Sequence, residues 1–182
     1  MREDGRDFEK WEGTMSLLAK WDEVQSAVNK KTLYEQGNNL FNKKVYGNEV
    51  SFMYAIRKGG YHSFPHSHDA EQLNFCLEGE LWIFVDEEGF LLKKGDFHRV
   101  PRNAIHWAWN RTGEDIILLE AHTPPLISFP NNPEAEALYV GLFDENESPN
   151  LVGKAANIFK EEYREHQKRV EARLFPELAA AK

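Results

Sequence analysis

Apolar and polar residues alternate with a period of two through most of the middle of the chain, and recur at helical spacing near both ends. Starting at Ser16, the residues Leu17, Leu18, Trp21, Val24 and Val28 fall on one helical face, with Ser16 able to cap the first turn, so the pattern predicts a short amphipathic helix. Next come two β-favouring runs, Asn39 to Tyr46 and Glu49 to Ile56, joined by Gly47-Asn48, a pair that tolerates positive φ; together they predict a hairpin. From Gly60 to Thr123 short alternating runs follow one another: Gln72 to Leu77, Leu81 to Val85, Phe90 to Leu92, Phe97 to Val100, Ile105 to Trp109 and Ile116 to His122. Gly, Asp, Asn or Pro separates them, which indicates an antiparallel barrel or sandwich. Beyond Pro124-Pro125 the chain turns proline- and asparagine-rich through Asn131-Asn132-Pro133. A charged helical segment from about Lys154 to Leu174 follows, with Phe159, Tyr163, His166, Val170 and Leu174 on one face that would pack on the barrel or on a second subunit. The expected organisation is a leader over 1–15, a helical segment over 16–37, a barrel over 38–125, and a loop with a helix over 126–182.

Composition narrows the class. A chain of 182 residues suits one domain with a real core, and 41% hydrophobic with 29% charged residues is ordinary for a soluble globular protein. No apolar run approaches the ~20 residues of a membrane helix, and the charged first ten residues argue against a secretory signal, so the expected location is the cytoplasm. Cys76 is the only cysteine, which rules out an intrachain disulfide and a thiolate zinc cluster and leaves it as a small packing residue. The net charge of -8 disfavours a nucleic-acid partner, and Lys93, Lys94, Arg99 and Arg102 read as a solvated edge.

The chemistry concentrates in two stretches. In Gly60-Tyr61-His62-Ser63-Phe64-Pro65-His66-Ser67-His68, the residues His66 and His68 are two apart and project to the same side of an extended strand, so they can grip one ion. If Gln72 points inward, the same parity sends Asn74 and Cys76 into the barrel. In the second stretch, from Gly95 to Asn110, His106 would be the third imidazole.

These stretches resemble the paired motifs of the cupin superfamily. Gly60, His66, His68 and Gly79 stand at the spacing of the first motif, with Gln72 where the family has Glu; Gly95, Pro101, His106 and Asn110 match the second, with Asn103 in place of a turn glycine. The strong part of the match covers 60–110. What the resemblance implies is an all-β fold, the cupin double-stranded β-helix or jelly-roll barrel, here with a short N-terminal helix and a C-terminal helical extension. It also implies one divalent metal ion (Zn, Fe, Mn or Ni) on His66, His68 and His106, with Gln72 either a fourth ligand or a group that orients water or substrate. Asn103 should preserve its turn, since Asn tolerates the left-handed region.

A neutral Gln72 leaves the ion's charge uncancelled, which favours Lewis-acid work on a carbonyl, enol or hydroxyl oxygen of a small-molecule substrate. The leading expectation is therefore an enzyme with non-oxidative isomerase, cyclase or lyase chemistry acting on a small oxygenated substrate such as a sugar acid. His62, Glu120 and His122 are the candidate proton-moving residues; His62 could also be a fourth imidazole or, more readily, an edge residue, and Glu120 with His122 a strand-end pair. The alternatives are a three-histidine Fe(II) dioxygenase and a non-catalytic binder of a small metabolite. Trp82, Trp107 and Trp109 are assigned to core or subunit contacts, His98 to the barrel wall, and exposed strand edges with aromatic faces predict a homodimer.

Overall fold

A computed structural model describes residues 20–22, 24, 26–28, 40–47, 49–127 and 155–178. The expected leader and the proline- and asparagine-rich stretch up to 154 lie outside the described residues. Eleven strands are described: β1 (Ser26–Val28), β2 (Leu40–Tyr46), β3 (Ser51–Arg57), β4 (Glu71–Glu78), β5 (Glu80–Val85), β6 (Glu88–Lys93), β7 (Phe97–Val100), β8 (His106–Trp109), β9 (Ile116–Thr123), β10 (Leu126–Ile127) and β11 (Ala155–Ala156). They form a six-stranded sheet in the order β1-β2-β3-β9-β4-β7, a three-stranded sheet β6-β5-β8, and the small parallel pair β10-β11. This is the antiparallel architecture that the alternation predicts, in the jelly-roll form that the resemblance implies, and the β2–β3 hairpin pairs Leu40 with Arg57 through to Tyr46 with Ser51.

Period-two alternation holds the two sheets together. Met53 and Ala55 of β3, Cys76 of β4, Leu81 and Ile83 of β5, Leu92 of β6, and Ile116 and Leu118 of β9 meet in one buried cluster between the sheets. Gly79 makes the tight β4–β5 turn at φ +80, and a Cβ there would come within 2.6 Å of Ile116 Cγ2, so the position admits only glycine without rearrangement. Asn103 sits at φ 62, as the tolerance of Asn for that region requires.

The outer face of the small sheet is covered by α1 (Glu161–Leu174), which buries Tyr163, Gln167, Val170 and Glu171. Val170 and Phe175 join Phe84 and Trp107 in a second apolar cluster that Trp82 and Trp109 flank. Phe84 and Trp107 stack at 4.8 Å. The tryptophans are thus packing residues, as expected. Acidic Glu161 and Glu162 in the first turn and Arg173 in the last suit the helix dipole.

Two expectations need correcting. The helix predicted from Ser16 does not extend through its described end: Trp21 and Asp22 form a turn, and Ser26–Val28 pairs antiparallel with β2. The unpaired backbone of the β2 edge offers a ladder there, and the Trp21 ring packs against Phe41 and Tyr54 on the sheet instead of along a helix. The C-terminal helix starts at Glu161, not near Lys154. Residues before it are held extended, because Ala155 donates to the Pro125 carbonyl at 2.9 Å and Ile158 exchanges hydrogen bonds with Ser67 at 2.8 and 3.1 Å. No described helix is long and apolar enough to cross a membrane.

Candidate metal centre

His66, His68 and His106 offer ligand atoms that all lie within 4.8 Å of one another. The backbone brings them together: the extended His66–His68 segment bridges to β8 through reciprocal bonds between His66 and His106, with N–O distances of 3.0 and 2.8 Å. On its other side the segment is held by Ile158, so it is fixed from both edges. Strand parity then aims His66 and His68 the same way, as the spacing predicts.

All three rings use the same nitrogen in the same way. Nδ1 of His66 faces the Phe64 carbonyl at 2.9 Å, Nδ1 of His68 the Ala70 carbonyl at 2.9 Å, and Nδ1 of His106 the Ala104 carbonyl at 3.0 Å. A carbonyl only accepts, so each Nδ1 must carry the proton, and each Nε2 of a neutral ring presents a lone pair to the common centre. The rings are held neutral. Burial, followed by the neighbouring His68, lowers the His66 pKa to about 4. Burial likewise lowers His68 and pushes His106 well below the usual imidazole range, with the adjacent imidazoles adding to it. Neutral imidazoles oriented by backbone carbonyls are what a divalent cation requires of its ligands.

Two atoms show that the set fits a cation. His106 Nε2 is buried and has no hydrogen-bond partner. His68 Nε2 faces Gln72 Oε1 at 3.3 Å, and with the ring proton committed to Nδ1 this juxtaposes two acceptors, which a shared cation reconciles. The amide cannot be turned the other way without loss, since its nitrogen donates to Asn74 Oδ1 at 2.7 Å and reaches Glu120 Oε2 at 3.4 Å, and a carboxylate only accepts. Gln72 Oε1 therefore lies beside the three imidazoles as a further acceptor.

A cavity of about 620 Å³, its open mouth included, lies against these residues, and His66, Gln72, His106, Glu120 and His122 all line it. Gln72 and Asn74 on β4 pair in register with His122 and Glu120 on β9, which puts four polar side chains side by side on the inner face. His122 is buried, with Nδ1 unpartnered and Nε2 4.0 Å from Glu120 Oε2. Burial, then the nearby Lys44 cation, holds its pKa well below the usual value, so the ring is neutral.

His62 is the candidate that the fold does not bring to this cavity. Its ring stacks on Trp109 at 4.4 Å, and its Nε2 lies 2.7 Å from Glu171 Oε1 and 2.9 Å from Gln167 Nε2, both on α1. It faces the helix because four residues of this segment span only three of β8 between the His62–Trp109 and His66–His106 bridges, so the shared parity with His66 does not carry across. His98 lies on the wall, within 3.5 Å of Asn74, and Cys76 is fully buried in the core.

Several cavity residues escape a reading of the motifs. Arg57, at the end of β3, donates to Glu120 Oε1 at 2.7 Å and to Asn42 Oδ1 at 2.5 Å, while buried Lys44 donates to the Leu126 carbonyl at 3.1 Å. The signal for them is present in β2, where Asn42, Lys44 and Tyr46 are the buried positions and the alternation therefore runs polar-inward.

The family model for the cupin domain matches residues 52–122. Those residues form a cupin domain. Solved structures agree on the fold: the polyketide cyclase RemF from Streptomyces resistomycificus is similar at 14% identity and TM-score 0.51, covering 60% of this chain and 80% of its own. A sugar phosphate isomerase from Silicibacter pomeroyi is similar at 16% identity and TM-score 0.50, covering 58% and 74%. An RmlC-like cupin from Shewanella frigidimarina is 20% identical at TM-score 0.49, covering 60% and 92%. No curated protein matches in sequence. In this cupin the matched region contains every histidine of the triad, but α1 and the strand segment 155–158 that flank the centre lie beyond it.

Proposed function

We propose that this cupin is a metal-dependent enzyme that acts on a small oxygenated substrate, a carbonyl, enol or sugar acid, by non-oxidative isomerase, cyclase or lyase chemistry. The observation that carries the reading is the convergence of three neutral imidazoles, all with Nδ1 committed to backbone carbonyls, on a cavity that also holds Glu120 and His122. His66, His68 and His106 would hold one divalent ion, with Gln72 Oε1 beside them. When bound, that ion supplies Lewis-acid stabilisation of negative charge on a substrate oxygen, undiminished by a ligand carboxylate.

The remaining work falls to the chain. His122 is neutral and its Nδ1 has no partner, so with the ring proton on Nε2, the side of Glu120, it can accept a proton from the substrate. Arg57 anchors Glu120 through Oε1, leaving Oε2 turned towards His122, where its charge stabilises the imidazolium as it forms. Met53, Ile83, Leu118 and Trp107 wall the cavity and limit the water that could compete for that proton. Two fold neighbours carry isomerase and cyclase names, which guides the choice of first assays and not the substrate.

Protein purified without added metal should contain a stoichiometric divalent ion by elemental analysis. Reloaded with Zn(II), Ni(II) or Mn(II), it should turn over enolisable hydroxy or keto acids under anaerobic conditions. Oxygen uptake that occurs with Fe(II) and not with Zn(II) would replace this reading by a three-histidine dioxygenase, and tight binding without turnover across all metals would replace it by a binder. A homodimer is part of the same proposal, because Phe52, Leu73 and Phe97 are exposed on the large sheet; sedimentation at micromolar concentration tests it.

A further inference from the structure

Three buried side-chain polar atoms among the described residues have no hydrogen-bond partner: His106 Nε2, His122 Nδ1 and Asn157 Oδ1. All three residues line the same cavity. His106 Nε2 is accounted for as a ligand atom, which leaves two. Asn157 is the unexpected one, since it lies well beyond the cupin match and reaches the cavity from the strand segment between β11 and α1.

That segment is firmly placed. Ala155 and Ala156 pair in parallel with Leu126 and Ile127. Ile158 bridges Ser67, the residue between the two histidines of the first motif, and the Phe159 ring lies 5.5 Å from the His66 ring. Backbone bonds on both sides of Asn157 therefore fix where its side chain goes. An amide oxygen accepts and never donates, and a buried acceptor without a donor is disfavoured, so Asn157 Oδ1 calls for a donor that a ligand in the cavity can supply. A hydroxyl fits, and it fits His122 Nδ1 equally well. Arg57 lines the cavity as well, its charge offset by Glu120, so the attraction for a carboxylate comes from the divalent ion that the triad would hold.

We infer that Asn157 is a ligand-binding residue whose Oδ1 accepts a hydrogen bond from a hydroxyl of a small hydroxylated carboxylic acid held in the barrel. This rests on the cavity being the binding site proposed above, and it adds the residue that reads the hydroxyl.

The test is calorimetric titration of the zinc-loaded full chain with glycerate, lactate and propionate, three-carbon acids with two, one and no hydroxyls. Wild type should bind glycerate at least about tenfold more tightly than propionate, the discrimination expected of one buried acceptor that a ligand leaves unpaired. Asn157→Leu, similar in size and without an acceptor, should reduce that ratio to about twofold, with zinc content and melting temperature unchanged. Asn157→Asp keeps an acceptor in place and should keep the ratio even as overall affinity falls. Equal binding of the three acids by wild type, no binding of glycerate, or an undiminished ratio in Asn157→Leu would overturn the inference. Hydroxyl preference carried by Asn157 without turnover of any acid would support it while the catalytic reading fails, so the two stand or fall separately.

Discussion

His62 and His66 lie four residues apart on one extended segment, and the molecule uses them in opposite ways. His66 gives its Nδ1 to a backbone carbonyl and turns Nε2 inward to the centre, as His68 and His106 do. His62 turns outward, stacks on Trp109 and has Nε2 engaged by Glu171 and Gln167 of α1. Histidines at a cation site are marked by which nitrogen the backbone takes and by what the other nitrogen lacks, more than by parity or proximity in sequence. One set converges its Nε2 atoms on a common centre; the other ties a helix to a sheet.

The sharpest break between the two comes from truncation. His66→Ala or His106→Ala should weaken metal retention by more than the about 10–100-fold typical of losing a mere supporting partner, whereas His62→Ala should leave it within about threefold; chelator competition measures both. Retention of metal by His106→Ala would remove the basis for the centre. Acid should act on the triad as well. An unfolded histidine takes up its proton near 6.5, while half-buried His66 does so only at about 4, so between those values the unfolded state binds more protons and the metal-free protein loses stability as pH falls. His66→Ala should flatten that slope by up to about 1.4 kcal/mol per pH unit, read from denaturant melts.

Removing the helix-side partner should do the reverse. Glu171 Oε1 serves both His62 and the indole nitrogen of buried Trp107, the latter at 2.8 Å. Glu171→Ala leaves that buried donor unpaired, at about 1–3 kcal/mol. The melting temperature should fall by several degrees with metal affinity unchanged. A matched loss of metal would mean that α1 and the centre are coupled, and the contrast drawn between the two histidines would be too sharp.

Gln72 lies between these cases. Gln72→Leu removes the carbonyl oxygen beside His68 but leaves the three imidazoles, so metal affinity should drop by about tenfold, the low end of a supporting group's effect. No change would place Gln72 outside the donor set and leave a three-histidine centre.

The same contrast explains what could be read before the fold was known. The strands from β2 to β9 and the facing of His66, His68, Asn74 and Cys76 follow from local alternation, because a period of two fixes a side chain's face wherever the strand is continuous. For His62 the parity misleads, because its segment slips by one residue against β8 between His62 and His66. Its partners Gln167 and Glu171 lie more than a hundred residues away, and nothing local specifies them. Arg57 and Asn157 were invisible for a like reason: they reach the cavity through pairings of β3 with β9 and of Ile158 with Ser67, which only the folded chain creates. Strand β1 was read as helix because its apolar spacing fits both, and the free edge of β2 decides it.

The smallest effect concerns the turn behind the triad. Asn103 stands at φ 62 where the cupin motif has glycine, and its amide donates to the His68 carbonyl at 2.9 Å, so its backbone helps to seat one ligand strand. Asn bears this conformation at little cost, and Asn103→Gly should therefore change the melting temperature by no more than about a degree or two and leave metal affinity untouched. A β-branched residue is different, because Cβ crowding in the left-handed region costs roughly 1–2 kcal/mol. Asn103→Val should lower stability by that amount and loosen the metal slightly, by about threefold if half of the strain reaches His68. If Asn103→Val weakens folding alone, the triad is held by His66, His106 and Ile158 without help from this turn, and the fixed side of the comparison is more rigid than the hydrogen bond implies.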